Sequence, residues 1–235
     1  MSTKGLITVV IPVYNGARYL GEAIESVLAQ TCQTTEVIVV DDGSTDGSRE
    51  EAAKFSPRVR CVPQPNAGAA AARNHGVRES HGEFIAFLDA DDLWMKEKLA
   101  LQLAAFSNDP ALDMVFGNVR QFFSPELPDE EKEKIVLPAE TMAGYHPGTM
   151  LVKRESFLRV GEFGEGWKMA EFIDWHARAA ELNLKSTLVP EVVMMRRVHN
   201  SNQGIYKRGY RSEYVRVLKA ALDRRRKAPD AGVTP

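Results

Sequence analysis

Phe84-Ile85-Ala86-Phe87-Leu88-Asp89-Ala90-Asp91-Asp92 is an apolar run that stops abruptly in three acids. Branched and aromatic residues over that length read as a buried strand, and the acids then stand at its carboxyl end, where open α/β sheets bind their ligands. Side chains on a strand alternate with a period of two, so Asp89 and Asp91 project in similar directions and can face one divalent cation and the phosphates it carries. The same spacing also suits a turn whose acids cap a helix starting near Leu93-Trp94, so other stretches must decide.

They decide by repetition. Leu6 to Val13 is a continuous β-branched run, as in a strand buried on both faces of a parallel sheet, and Pro12 closes it because proline cannot donate to a ladder. Tyr14-Asn15-Gly16 makes a turn, and Tyr19, Leu20, Ala23, Ile24, Val27 and Leu28 then recur at helical spacing. Glu36 to Val40 is a second buried strand, ending in Asp41-Asp42-Gly43-Ser44-Thr45-Asp46-Gly47, a tight turn with a cap for a helix through Glu50 to Phe55. Val59 to Val62 is a short third strand, and Asn66 to Asn74 opens a helix of small residues whose N-terminus can approach a ligand closely. After the acidic strand come a helix from about Leu93 to Phe106 and a strand from Met114 to Val119. Strand and helix alternating in this way predict an α/β sheet, doubly wound over its first half.

The second half is less regular. Residues 124–134, with Pro125, Pro128 and a charged run from Asp129, read as a solvated excursion. Gly148 to Val152 is strand-like, and Glu155 to Val160 is a helical turn ended by Gly161. Glu171 to Leu182 is an amphipathic helix, Leu188 to Val198 a strand interrupted by Pro190, and Ile205 to Lys227 a last helix rich in Arg and Lys. No repeat or low-complexity linker appears, so two halves of one domain is the economical organisation.

The 235 residues are 44% hydrophobic, enough for a sizeable core. With 30 basic against 32 acidic side chains the net charge is −2, and no global field favours nucleic acid as a partner. Cys32 and Cys61 have neither metal-type spacing nor a disulfide framework, which suits a reducing compartment. The first apolar run is too short to span a membrane and has no cleavage pattern, so a soluble, cytoplasmic protein is expected, with peripheral contact at the inner membrane face left open.

Taken in order, Val10-Ile-Pro-Val-Tyr-Asn15, Asp41-Asp42-Gly43-Ser44, Asn66-Ala-Gly-Ala-Ala-Ala-Ala-Arg73-Asn74 and Phe87-Leu-Asp-Ala-Asp-Asp92, followed by a later acidic helix, make the chain resemble the inverting glycosyltransferases of family 2 over roughly residues 6–203. The resemblance implies the GT-A fold: a Rossmann-like, mostly parallel sheet flanked by helices. Residues 1–119 would form the nucleotide-sugar half, 120–204 the acceptor half and 205–235 a basic helix and tail. It implies a nucleotide-sugar donor, commonly a UDP-sugar, a Mg2+ or Mn2+ cofactor, and a glycan or lipid-linked acceptor.

Residue by residue, it implies that Tyr14 stacks on the uracil beside the Pro12 and Val13 backbone, and that Asp42 accepts the base N3 hydrogen. Arg73, behind Gly68, reaches base or phosphates, and Asn74 could simply brace a loop. Asp89 contacts ribose or metal, and Asp91 of the Asp89-Ala-Asp91 motif ligates the cation. His199, in Arg196-Arg-Val-His-Asn-Ser-Asn202, fits a further metal or phosphate contact, or is an ordinary loop histidine. Arg196 and Arg197 could pair with a diphosphate or with nearby acids. Inversion needs a base across the cleft, and the family carries a Glu-Asp pair opening a helix, a second acid two residues on and an Arg four further. Glu171, Asp174 and Arg178 match, but Phe172 stands where that first Asp belongs. Glu171 is the favoured base, at the helix start, and Asp174 the alternative. His146 and Thr149 could touch sugar or acceptor, while Trp94 and Trp175 read as core or cleft wall. The last helix could dock on the domain, rest on an anionic membrane or form a homodimer contact. A sugar-1-phosphate nucleotidylyltransferase and a non-catalytic nucleotide-sugar-binding module are the alternative functions.

Overall fold

Four apolar runs lie side by side as parallel strands in the order β3-β2-β1-β4, with β1 (Ile7–Val13) paired to both β2 (Thr35–Asp41) and β4 (Phe84–Phe87), and β3 (Val59–Pro63) beyond β2. Helices α1 (Ala17–Leu28), α2 (Ser48–Ala53) and α3 (Ala69–Arg78) connect them. The computed structural model describes residues 5–32, 35–137, 141–200 and 211–227. The expected helix start with Tyr206, Lys207, Arg208 and Tyr210, the end of the Arg196-to-Asn202 stretch, and the C-terminal tail lie outside the described residues.

Alternation explains why β1 is apolar apart from Thr8, whose hydroxyl donates to Glu36. Val9 and Ile11 pack on the face that carries Leu20 and Ile24 of α1, while Val10 packs on the opposite face with Ala72 and Val77 of α3. Each such fully buried Val or Ile contributes on the order of 1.5–3 kcal/mol relative to leaving it in water. Gly76 lets α3 lie close to this strand, because a Cβ there would meet a Val10 methyl at 2.3 Å.

Beyond β4 the sheet becomes mixed. It runs on through β8 (Leu151–Lys153), β6 (Met114–Phe123), β9 (Ser186–Val198) and β5 (Leu93–Trp94), with β7 (Met142–Gly144) paired to β6. The long β6–β9 pairing is parallel, and the short β4–β8, β6–β8, β6–β7 and β5–β9 contacts are antiparallel, so most of the paired length is parallel. Around it lie α4 (Lys98–Asn108), α5 (Asp129–Lys132), a single 3-10 turn Pro147–Thr149, α6 (Arg154–Val160), α7 (Glu171–Glu181) and α8 (Arg211–Lys227). This mixed α/β domain has one continuous sheet through both halves. Among the described residues, no helix is long and apolar enough to cross a membrane.

Several local expectations are corrected. Pro12 does not close β1, which continues to Val13: Leu88 donates to the Val10 carbonyl, position 12 faces the same side, and β4 has ended there, so no ladder N–H is required of it. Leu93-Trp94 is not helical but pairs with Met194-Met195, and α4 begins only at Lys98. The strand expected from Gly148 starts at Leu151, because Pro147–Thr149 forms a 3-10 turn with His146 Nδ1 accepting the Gly148 N–H. The excursion at 124–134 contains α5 and a buried Leu127, so it is partly anchored. Pro190 sits where β9 skips register against β6, between the Gly117–Val189 and Asn118–Val192 pairs.

Candidate active site

The carboxyl ends of β1, β2 and β4 open on one rim, and side-chain hydrogen bonds join their loops. Asn15, in a left-handed conformation with φ 52°, accepts the Thr45 N–H on its side chain at 2.8 Å and donates its own N–H to Ser44 Oγ at 2.9 Å. Tyr14 beside it is 55% exposed, so its ring is available to a flat ligand. The Val13 carbonyl is already taken by the Asp42 N–H.

The adjacent acids Asp41 and Asp42 face different tasks. Asp41 accepts the Ser44 N–H and two hydrogen bonds from Arg49, and although burial opposes it, these partners hold its carboxyl below the usual range. It is a turn-former, as its sequence setting suggested. Asp42 is buried and accepts from Gln64 Nε2 (2.7 Å), Ala67 N (2.8 Å) and Gly68 N (2.9 Å). Gly68, at φ 93°, turns its N–H onto this carboxylate in a conformation that side chains disfavour. Asp42 therefore fixes the loop that leads into α3.

The small residues of α3 bring Arg73 into the interior, where it is 4% exposed. Its guanidinium donates to Asp89 Oδ1 at 2.6 Å and to Glu171 Oε1 at 2.8 Å, so acids from opposite halves of the chain share one cation. Burial would lower the Arg73 pKa, but Asp89 and Glu171 outweigh it and hold it raised. Burial likewise opposes the ionised Asp89, yet Arg73, His146 and Arg196 keep its carboxyl below the ordinary value. Arg73 Nε and Glu171 Oε2 are buried without a hydrogen-bond partner.

Asp91 faces outward from the same rim, with His199 Nε2 at 2.9 Å from its Oδ2. Asp92 turns inward and accepts the Arg197 N–H; burial, reinforced by Asp91 and Asp89, pushes its carboxyl well above the usual range. The three acids that ended the apolar run thus divide into one on Arg73, one beside a histidine and one inside. Arg197 is buried and committed: it reaches the Asp91 carbonyl and Glu22 and lies between the rings of Tyr19 and Phe122, at 4.7 and 4.8 Å. Arg196 is the neighbour whose charge acts on the rim acids.

On the other wall, His146 stands with Nε2 3.9 Å from Asp89 Oδ2. Burial, joined by Arg196 and Arg73 against Asp89, pulls its pKa down to about 4, so the ring is neutral near pH 7. Its Nδ1 accepts the Gly148 N–H, which leaves the proton on Nε2. Trp94 Nε1 donates to the Gly148 carbonyl, and Gln102 to that of Thr149, tying this turn to β5 and α4. Trp175 is fully buried and stacked on Phe157, as a core residue.

Glu171 and Asp174 do not share a setting. Glu171 opens α7 and faces Arg73, whereas the Asp174 carboxylate is held by Arg178 at 3.0 Å and Arg224 at 3.1 Å. Phe172 packs in the core against Trp175 and Phe116. Asn74 does brace a loop: its side chain donates to the Phe163 carbonyl and accepts the Phe163 N–H, both at 2.9 Å. Sequence reasoning missed Glu213 and Arg224, which reach from the last helix to the backbone just before α7 and to α7 itself; their long-range pairing leaves no local signal.

A parallel β3-β2-β1-β4 half-sheet continued by a mixed half and flanked by helices is the architecture of the GT-A class of fold. The chain belongs to glycosyltransferase family 2: the family model "Glycosyl transferase family 2" matches residues 8–161. A relative in Rickettsia typhi, the uncharacterized glycosyltransferase RT0329, is 30% identical over 208 residues, which cover 83% of this chain and 65% of that protein. Two further Rickettsia glycosyltransferases, 48% identical over 99 residues, align over only 16% of their length, so the chain spans less than two thirds of these relatives. Among solved structures, Staphylococcus aureus TarS 1-349 in complex with UDP-GlcNAc superposes with a TM-score of 0.73 at 21% identity, over 93% of this chain and 66% of that one. The Pyrobaculum calidifontis mannosyltransferase PcManGT, in complex with GDP-Man and Mn2+, gives 0.63 at 24% identity, over 96% of this chain and 65% of that one.

Proposed function

We propose that this protein transfers a sugar from a nucleoside-diphosphate sugar, with UDP as the nucleotide, to a hydroxyl of a glycan or lipid-linked acceptor, inverting the anomeric centre with the help of Mg2+ or Mn2+. The observation that carries the reading is the shared guanidinium: Arg73 holds Glu171, from the acceptor half, over Asp89 at the strand ends. In this reading residues 1–119 bind the nucleotide sugar, residues 120–204 the acceptor, and residues 205–235 form an accessory helix and tail. Structures of relatives holding UDP-GlcNAc or GDP-Man with Mn2+ support a donor of this class.

Tyr14 offers its exposed ring to the base, next to the Pro12–Val13 backbone, and Asp42 with Gly68 shapes the base pocket. Asp89 meets the ribose or the cation. Asp91 and His199 would hold the cation; their oxygen and nitrogen donors converge at 2.9 Å, and no group of three or more metal-type side chains is present among the described residues. That two-donor set fits a Mg2+ or Mn2+ ion which takes its remaining ligands from a diphosphate and water. When bound, the cation would neutralise charge on the departing nucleotide.

Glu171 is the proposed base. One oxygen is fixed by Arg73, and the other, buried and unpartnered, would accept the proton of the attacking hydroxyl. Asp174, engaged by two arginines, is a brace for the helix that carries Glu171. The exposed Tyr214, Val215, Leu218 and Leu222 of α8 suit peripheral contact with a membrane that holds a lipid-linked acceptor, or contact with a second copy.

The test is calorimetry with UDP with and without Mn2+, followed by a transfer and hydrolysis assay over UDP- and GDP-sugars. Asp91→Asn should abolish cation-dependent UDP binding. Glu171→Gln should keep UDP binding and lose roughly 10²- to 10⁴-fold in rate. Unchanged turnover in Glu171→Gln would remove it as the base. UDP binding without turnover on any donor would favour the non-catalytic module, a reading to which the buried Phe172 lends a motive.

A further inference from the structure

We propose that Glu213, on the last helix, is a positioning residue for Glu171; this rests on the reading of Glu171 as the base. Glu171 is the first residue of α7, so its direction is set by the backbone that delivers it. That backbone, residues 161–170, has no helix or strand of its own. A segment of this kind holds a side chain in place only where something outside it fixes its peptide groups.

Two residues do so. At the near end Asn74, next to Arg73 on α3, takes both the N–H and the carbonyl of Phe163. At the far end the Glu213 carboxylate accepts the Lys168 N–H, at 3.2 Å from each oxygen, and the Met169 N–H at 3.0 Å. Lys168 and Met169 immediately precede Ala170, the cap of α7. The residue is 7% exposed, so a carboxylate has been taken out of water to serve these two N–H groups. An apolar side chain would stabilise a helix–helix contact at less cost in desolvation. What a carboxylate adds is direction, because it accepts from successive N–H groups and places negative charge at the positive end of α7.

The rest of α8 supports the same function. The Arg216 guanidinium lies over the Trp167 ring at 5.1 Å, and Arg224 joins Asp174 and Glu181, near the two ends of α7. Helix α8 therefore grips α7 along its length and, through Glu213, the strand of backbone that aims its first residue.

The experiment compares full-length Glu213→Ala and Glu213→Gln with the parent protein. Hydrogen exchange by mass spectrometry reads the amides of residues 165–173, calorimetry reads UDP with Mn2+, and steady-state assays use the donor on which the parent turns over. In Glu213→Ala the segment should exchange at least about tenfold faster, UDP affinity should stay within about twofold, and kcat should fall about 10- to 100-fold with donor KM nearly unchanged, as expected for a displaced base. Glu213→Gln, which keeps one acceptor oxygen, should recover part of the rate. Unchanged exchange would show that Glu213 does not hold the segment, and faster exchange with an unchanged kcat would show that holding it does not matter to the base. Parallel loss of UDP affinity and kcat would mark a general loss of structure and overturn the positioning role. Absence of turnover in the parent on every donor would instead refute the proposed function, and the exchange result alone would then decide whether Glu213 holds the segment.

Discussion

Removing the guanidinium of Arg73 should cost the fold more than removing any exposed charge, and the cost should depend on pH in a defined direction. Arg73→Met keeps most of the stem and deletes the cation that lies 2.6 Å from Asp89 and 2.8 Å from Glu171. The side chains of these acids are 28% and 12% exposed, so water replaces little of what they lose. Breaking a buried ion pair from one side typically costs about 3–5 kcal/mol, because the remaining charge is left unpaired. At roughly 2–4 °C per kcal/mol for a domain of this size, the melting temperature should fall by on the order of 10 °C. In the parent, Asp89 has a depressed pKa, so its contribution is present above the unfolded value near about 3.9 and is lost as pH falls through the folded value. In the variant, Asp89 keeps the burial that opposes its charge but loses the cation that offset it, so the penalty is full at pH 7 and fades as Asp89 takes up a proton. The fading penalty in the variant narrows the gap between the proteins as pH falls from 7 towards about 4, and the parent's loss of the Asp89 contribution adds to it only below about 3.9. Urea unfolding followed by circular dichroism at pH 7 and pH 4.5 measures it. A variant within about 0.5 kcal/mol of the parent at pH 7, which is within the scatter of ordinary surface changes, or a gap that widens on acidification, would refute the assignment of Arg73 as the shared partner.

Two further outcomes follow from single side chains. Phe172→Asp restores the acid of the family pattern, but it places a carboxylate among Phe116, Trp175 and His176 and should destabilise by more than about 3 kcal/mol; a variant as stable as the parent in urea would show that this position can turn to the cleft. His146, held to about 4, should titrate in an NMR pH series well below the usual histidine range, and because its folded pKa is depressed, its contribution to stability is present above about 6.5 and is lost as pH falls through about 4; a midpoint at 6.5 or higher would refute a ring kept neutral by its surroundings.

The first half of the chain was legible because β1, β4 and most of β2 are buried on both faces and its turns are built from residues with narrow conformational use. Val9 and Ile11 face one helix layer and Val10 the other, so the run from Val9 to Val13 is apolar, and Asp42 to Gly47 has the composition of a turn. Leu93-Trp94 was misread as helix because two residues carry no periodicity; their strand character comes from Met194 and Met195, distant in sequence. The 3-10 turn at Pro147 was hidden for a similar reason, since His146 and Thr149 bond within it and Trp94 and Gln102 anchor it from outside. Among the candidate site residues, motif position separated Asp89 and Asp91 from the background, but it could not distinguish Glu171 from Asp174. What separates them is which arginine each meets: Arg73 for one, Arg178 and Arg224 for the other.

The adjacent residues Arg73 and Asn74 show how the parallel half-sheet can organise a wall it does not itself contain. Successive positions on a helix point about 100° apart, so the two side chains leave α3 in different directions. Arg73 goes towards the strand ends and meets Asp89 before it meets Glu171, while Asn74 goes to the Phe163 peptide, upstream of the same Glu171. One turn of α3 thus holds both the start of the 161–170 segment and the side chain at its end. The position of α3 is in turn set by close packing on β1, where Gly76 leaves no room for a Cβ against Val10. A bulkier residue at 76 would push the helix from the sheet and move both contacts together. The geometry of the far wall is therefore encoded in the packing of the near one, which is why the small-residue stretch from Ala67 to Gly76 matters to a carboxylate nearly a hundred positions later in the chain.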